Sequence, residues 1–189
     1  MIQNNIKYVV IGGSAGSFQA ITKILSSLPK KYEIPVFLCL HRLKHVRSGF
    51  VEALSIKSKL PISEPTDKEH IRNGRVYLAP ANYHMYIELG NTIALSTEEV
   101  VNHSRPSIDL TFISAAYVLK DKLLGIVLSG ANKDGARGAK AIKDAGGTVI
   151  VQSPEECQVK TMTSAAIKAT QVDHIMLTDE IIEYLLKLS

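Results

Sequence analysis

Three side chains with complementary chemistry stand at the ends of apolar runs. Ser14 lies in Gly12-Gly13-Ser14-Ala15-Gly16, His41 closes Pro35-Val36-Phe37-Leu38-Cys39-Leu40, and Asp134 sits in the loop after the run that begins at Leu123. A hydroxyl is a weak nucleophile until a base takes its proton. An imidazole is suited to that task near neutral pH, and a carboxylate can orient the imidazole and stabilise its cation. The glycine-serine run matches G-x-S-x-G, a turn that lifts a serine Oγ above a sheet when a strand precedes it and a helix follows. Backbone N–H groups at the start of that helix, with the positive end of its dipole, suit a developing oxyanion. On this reading Ser14 is the nucleophile, His41 its general base, and Asp134 the group that holds the imidazole.

Each residue also has a plainer role open to it. The turn could be a simple strand–helix connection with Ser14 or Ser17 as N-cap. His41 could be a strand-end histidine without a task, and Asp134 the N-cap of the helix that follows it. Dinucleotide binding fits poorly: counted from Gly12, the glycine positions hold Gly12, Ser14 and Ser17, and the second strand ends in His41 rather than an acid. No Gly-Lys-Ser/Thr follows, so a Walker phosphate loop is not formed. What favours chemistry is that a hydroxyl, an imidazole and a carboxylate occur together at strand ends.

The elements that must position them alternate between strand and helix, which predicts an α/β fold with a mostly parallel sheet. "KYVVIGG", "PVFLCLH", "GRVYLAP", "LLGIVLSG" and "TVIVQ" read as strands. After Ser17, Phe18, Ile21, Leu25 and Leu28 mark one helical face, ended by Pro29. A helix is predicted over roughly 49–57, and an antiparallel hairpin over 83–96 with its turn at Gly90-Asn91. Arg105-Pro106-Ser107 opens a helix whose apolar face is Ile108, Phe112, Ala115 and Leu119. A small-residue helix follows "ANKDG", and an amphipathic helix is predicted from Thr178 onward. In an open parallel sheet, ligands bind at the carboxyl ends of the strands, where all three candidates lie.

The 189 residues predict a single domain spanning 1–189, with 46% hydrophobic and 21% charged residues, ordinary for a soluble globular protein. No apolar run approaches a membrane span, and "MIQNNIKYVV" has no secretory pattern, so a cytoplasmic protein is expected. A net charge of +4 is too mild to indicate nucleic acid, though the basic run "HRLKHVR" could favour an acidic protein partner. Cys39 and Cys157 make no CxxC pair, and no cluster has metal-ligand spacing. His84, His103 and Asp109 are candidates for lining a pocket; Asp109 reads better as a first-turn acid on its own helix dipole. His45, His70 and His174 read as surface or loop residues.

The blocks "VVIGGSAGSFQAI", "FLCLHRLKHVRSGFVEAL", "GRVYLAPANYHMYI", "HSRPSIDLTFISAA" and "GIVLSGANKDGARGAKAIKDAGGTVIVQ" stand in an order and spacing that resemble the catalytic domain of the chemotaxis receptor protein-glutamate methylesterases (CheB type). The likeness runs from about Lys7 into the 170s. It implies a serine esterase that hydrolyses glutamate γ-methyl esters on chemoreceptor helices, releasing methanol, with deamidation of receptor glutamines in many members. It implies a doubly wound, mostly parallel sheet flanked by helices, with an antiparallel hairpin, and neither metal nor organic cofactor. The family's serine, histidine and aspartate fall on Ser14, His41 and Asp134. Its oxyanion donors fall on the backbone N–H groups of Ala15 and Ala131.

This chain departs from the family pattern at Ala15-Gly16-Ser17, where threonine and a Gly-Gly pair are usual. It departs again at Arg42, where methionine is usual, and at Asn132-Lys133, where Gly-Asn is common. Arg42 and Lys133 add cations near the rim and are candidates for docking an acidic receptor helix. Many members carry a phosphorylatable receiver domain ahead of this one. Here the first strand begins close to Met1, so a stand-alone esterase with no N-terminal receiver domain is expected, a fragment being the other reading. Two further readings stay open: a non-catalytic domain that binds a receptor or signalling partner, and a hydrolase of this fold with another ester substrate.

Overall fold

The computed structural model describes residues 5–41 and 49–188. A seven-stranded, wholly parallel sheet forms its centre. Its main strands are β1 (Tyr8–Gly13), β2 (Val36–Leu40), β5 (Val76–Leu78), β8 (Leu123–Val127) and β9 (Thr148–Gln152), with β3 (Ile62–Ser63) and β10 (His174–Met176) at the edges. The order is β10-β9-β8-β1-β2-β5-β3. From β1 the chain moves first toward β2 and later returns to β8 on the other side, so the strand order reverses at β1. In an open α/β sheet such a reversal marks where ligands bind, here outside the carboxyl ends of β1, β2 and β8.

Successive residues of these strands face opposite ways, and both faces are apolar, as a sheet covered on both sides requires. Val9, Ile11, Leu38, Leu40, Ile126 and Ile150 enter one core with α1 (Phe18–Ser27) and α6 (Thr178–Leu186). Val10, Phe37, Cys39, Val127, Val149 and Val151 enter the other with α3 (Ile108–Leu119), α4 (Ala136–Asp144) and α5 (Thr161–Ala169). The fold is therefore doubly wound. α2 (Phe50–Ser55) contributes Leu54 to the first core.

The hairpin is present as β6 (His84–Glu88) and β7 (Thr92–Ser96), joined by β4 (Glu69–His70) into a small antiparallel sheet. The predicted apolar face of α3 is buried at Ile108, Phe112, Ala115 and Leu119. α1 differs in one residue. Ala20, Ile21, Ile24 and Leu25 are buried, but Phe18 is 42% exposed and packs edge-on against Phe50. No helix among the described residues is long and apolar enough to cross a membrane.

Candidate active site

The elbow between β1 and α1 is held by the carbonyl of Ser129, beyond β8, and by the backbone and hydroxyl of Ser17. Ser14 N–H donates to Ser129 O at 2.9 Å, and Ser14 O accepts the Ser17 N–H at 3.1 Å and the Ser17 hydroxyl at 2.7 Å. Ser17 occupies the N-cap position of α1, yet its hydroxyl points back into the turn instead of forward to a helical N–H. A Cβ on Gly13 would lie 2.7 Å from Ser17 Oγ, and Gly16 has φ +80°, so neither position tolerates a side chain without rearrangement. Ser14 itself is half-buried, with no hydrogen bond to its hydroxyl among the described residues. The N–H groups of Ala15 and Ala131 likewise have no acceptor among the described residues, and both alanines are exposed.

His41 follows β2, which pairs with β1 so that Gly13 lies beside Leu40. Its N–H donates to Gly13 O at 3.2 Å, bringing the backbone of His41 next to that of Ser14. The ring turns inward: His41 Nε2 lies 2.8 Å from Asp134 Oδ2, with the imidazole 11% exposed and the carboxylate fully buried. Asp134 and His41 thus meet, while Ser14 stands beside them on the neighbouring strand end.

Asp134 does not cap the helix it precedes. Gly135, with φ +96°, is the N-cap of α4. The carboxylate instead serves α3: Oδ2 accepts Ile108 N–H at 2.6 Å, and Oδ1 accepts Asp109 N–H, the Ser107 hydroxyl and Asn102 Nδ2, each at 3.0 Å. Burial pushes the Asp134 carboxyl up, but the hydrogen bonds from His41, Asp109 N–H, Asn102 and Ile108 N–H outweigh it and hold it below the ordinary aspartate range. A buried, ionised carboxylate of this kind can orient His41 and stabilise its cation.

Asp109 differs from the sequence expectation. It lies in the first turn of α3, but its Oδ1 accepts the N–H groups of Gly135 and Gly138 at the start of α4, at 2.9 and 2.8 Å. Burial is the main cause that raises its carboxyl above the usual range, with the Asp134 charge adding to it against the bonds from Gly138, Asn102 and Gly135. His84 is fully buried, with Nε2 2.9 Å from Glu99 O and Nδ1 accepting Ser107 N–H at 3.1 Å, so it braces the start of α3 and lines no open pocket. His103 is exposed in a turn, and His70 and His174 are exposed on short edge strands. Lys133 is exposed at the rim beside Asp134. Arg42 and His45 lie outside the described residues.

The sequence reading missed several side chains that build the site. Asn102 Nδ2 donates to Asp109 Oδ2 and Asp134 Oδ1, each at 3.0 Å, from a left-handed backbone with φ +52°. Ser129 Oγ lies 2.8 Å from Ala15 O and accepts Val159 N–H at 3.1 Å. Asn132 contacts the His41 ring. Asn102 precedes a His-Ser-Arg-Pro run, and a polar residue of αL propensity there is the one local signal that could have drawn notice.

A family model described as CheB methylesterase matches residues 9–185. A protein of Leptospira interrogans (strain Fiocruz L1-130) is 41% identical over 97% of this chain and 95% of its own length. The protein-glutamate methylesterase/protein-glutamine glutaminase of Clostridium acetobutylicum is 35% identical over 98% of this chain and 54% of its own. The chain therefore spans about half the length of that relative. The crystal structure of the Thermotoga maritima CheB methylesterase catalytic domain matches with a TM-score of 0.91 and 31% identity, covering 97% of this chain and 99% of that one.

Proposed function

This chain belongs to the CheB methylesterase family, and on that premise we propose that it is a carboxylic ester hydrolase acting in the cytoplasm on glutamate γ-methyl esters of chemoreceptor helices. Ser14 Oγ attacks the ester carbonyl while His41 takes its proton, and Asp134 stabilises the imidazolium that forms. The backbone N–H groups of Ala15 and Ala131 receive the oxyanion. The tetrahedral intermediate collapses as His41 returns the proton to the leaving oxygen, releasing methanol and leaving a glutamyl ester on Ser14. Water, deprotonated by His41, then attacks that ester and frees the glutamate carboxylate and the serine. Glutamine would follow the same path with ammonia as the leaving group, the second activity in the name of the Clostridium relative.

The observation that carries this reading is the buried 2.8 Å contact between His41 and the ionised Asp134, beside an elbow whose serine hydroxyl is uncommitted. Lys133, exposed beside Asp134, is suited to docking an acidic receptor segment, as is Arg42 by its place in the sequence. The test is methanol release from a methylated chemoreceptor fragment by the wild type and Ser14→Ala. Release that disappears in the variant supports the assignment. Equal release by both would remove Ser14 from the mechanism, and a stable complex without turnover would favour a binding domain.

A further inference from the structure

A side chain outside the three reacting groups reaches the same imidazole. Asn132 is half-buried in the β8–α4 loop, two residues before Asp134, and its Oδ1 accepts the Asp134 N–H at 3.0 Å. A backbone N–H can only donate, so this bond identifies the amide oxygen and leaves Nδ2 turned away from it. Nδ2 lies 3.5 Å from His41 Nδ1. At that length the contact adds little energy, but it carries direction. An amide NH₂ only donates, so Nδ1 presents a lone pair and the ring proton stands on Nε2, which donates to Asp134 Oδ2 at 2.8 Å. The circuit closes on itself: Asp134 N–H to Asn132, Asn132 to His41, His41 to the Asp134 carboxylate.

Asp134 alone holds the ring at one nitrogen. The ionised carboxylate only accepts, so it keeps the ring proton on Nε2. The imidazole can still swing about that single bond or turn over about Cβ–Cγ, which would put Cε1–H and Cδ2–H where Nε2 and Nδ1 stand. Asn132 adds a second anchor, a donor facing Nδ1. We propose that Asn132 is a positioning residue that fixes the orientation of the His41 ring, with Nε2–H on Asp134 and the Nδ1 lone pair available to the Ser14 proton. This rests on His41 being the general base. The Ser14 hydroxyl has no hydrogen bond among the described residues, so Nδ1 is the nitrogen that exchanges its Asn132 contact for the serine.

Ring-selective ¹H–¹⁵N correlation spectra of His41 distinguish the two neutral forms, because each nitrogen couples differently to the ring carbon-bound protons. The wild type is expected to show only the Nε2–H form. Asn132→Ala is expected to keep the proton on Nε2 but to show broadened or doubled ring signals as the imidazole leaves its single orientation, with kcat for methanol release lowered roughly 10-fold, a part of the 10²–10⁴-fold worth of a general base, and KM changed less than about twofold. Asn132→Asp keeps the acceptor for the Asp134 N–H but removes the donor, so it should retain the wild-type melting temperature while its ring carries a proton on Nδ1. A purely structural role would lower the melting temperature of Asn132→Ala and leave the ring signals unchanged. The proposal is overturned if Asn132→Ala keeps one sharp set of ring signals, if it shows broadened or doubled signals with kcat unaltered, or if the wild type carries its proton on Nδ1. The ring signals need no turnover. A wild type that releases no methanol would sink the functional reading, and the spectra would still decide the orientation.

Discussion

Asp109 and Asp134 each hold the start of the helix that the other belongs to or precedes. Asp134, just before α4, accepts the N–H groups of Ile108 and Asp109 in the first turn of α3, at 2.6 and 3.0 Å. Asp109, in that same turn, accepts the N–H groups of Gly135 and Gly138 at the start of α4, at 2.9 and 2.8 Å. Asn102 donates to both carboxylates and ties the exchange together. The first N–H groups of a helix lack intrahelical partners and attract negative charge. Here α3 and α4 lie so close that Phe112 packs directly over Gly138, and each carboxylate reaches the neighbouring helix. The orientation of the carboxylate facing His41 is thereby coupled to helix packing.

That coupling makes Asp134→Asn a double lesion. In a serine triad this change ordinarily leaves the geometry intact and lowers kcat about 10⁴-fold through the wrong imidazole tautomer. Both Asp134 oxygens accept N–H groups here, so the amide NH₂ must face a backbone donor whichever way it turns. Asp134→Asn is expected to lose about 2 kcal/mol of stability in urea unfolding in addition to its activity, because a buried donor is left unpaired. Ser14→Ala, by contrast, should lose activity at unchanged stability. Equal unfolding midpoints for the two variants would disprove the helix-holding role of Asp134.

The two aspartates also pull the acid stability of the protein in opposite directions. The Asp134 carboxyl is held low in the folded state, so its contribution is present above the ordinary aspartate range and is lost as the pH falls through its depressed value. The Asp109 carboxyl is raised, so its contribution is present at low pH and is lost as the pH rises through its elevated value. In the wild type the two partly cancel on acidification. Asp109→Asn removes the compensating term, so its urea midpoint should fall more steeply than the wild type's between about pH 6 and 3. Parallel curves for the two proteins would rule out this opposition.

Ser129 supports the elbow from the neighbouring strand end. Its carbonyl accepts Ser14 N–H, and its hydroxyl lies 2.8 Å from Ala15 O, so one residue grips both the proposed nucleophile and the proposed oxyanion donor. Ser129→Ala is expected to lower kcat about 10-fold, since a displacement on the order of 1 Å at a reacting group can cost 10²-fold. Ser129→Thr retains the hydroxyl and should recover most of that loss. Methanol release by the three proteins, with melting temperatures alongside, checks the claim, and an active Ser129→Ala would refute it.

Much of the frame was legible because its signals are local. Val9, Val10 and Ile11 are all apolar because both sheet faces are covered, and Gly90-Asn91 marks the hairpin turn. Ser107 reads as a helix start and does accept Leu110 N–H. The edge strands β3, β4 and β10 and the helix α5 left no such trace. The strands hold two or three residues each, and α5 begins at Thr161, after an N-cap residue, Lys160, that makes no side-chain cap.

The sequence by itself determined the types and strand-end positions of Ser14, His41 and Asp134, because a buried strand, a glycine turn and a helix start are each written within a few neighbouring residues. Only the tertiary structure decided what those groups touch. His41 and Asp134 are 93 residues apart, Asn102 and Asp134 are 32 apart, and Asp109 and Gly135 are 26 apart. No local pattern encodes such pairings. They arise where the sheet reverses at β1 and α3 packs against α4, and there a buried carboxylate must take whatever donors the neighbouring helix leaves unpaired.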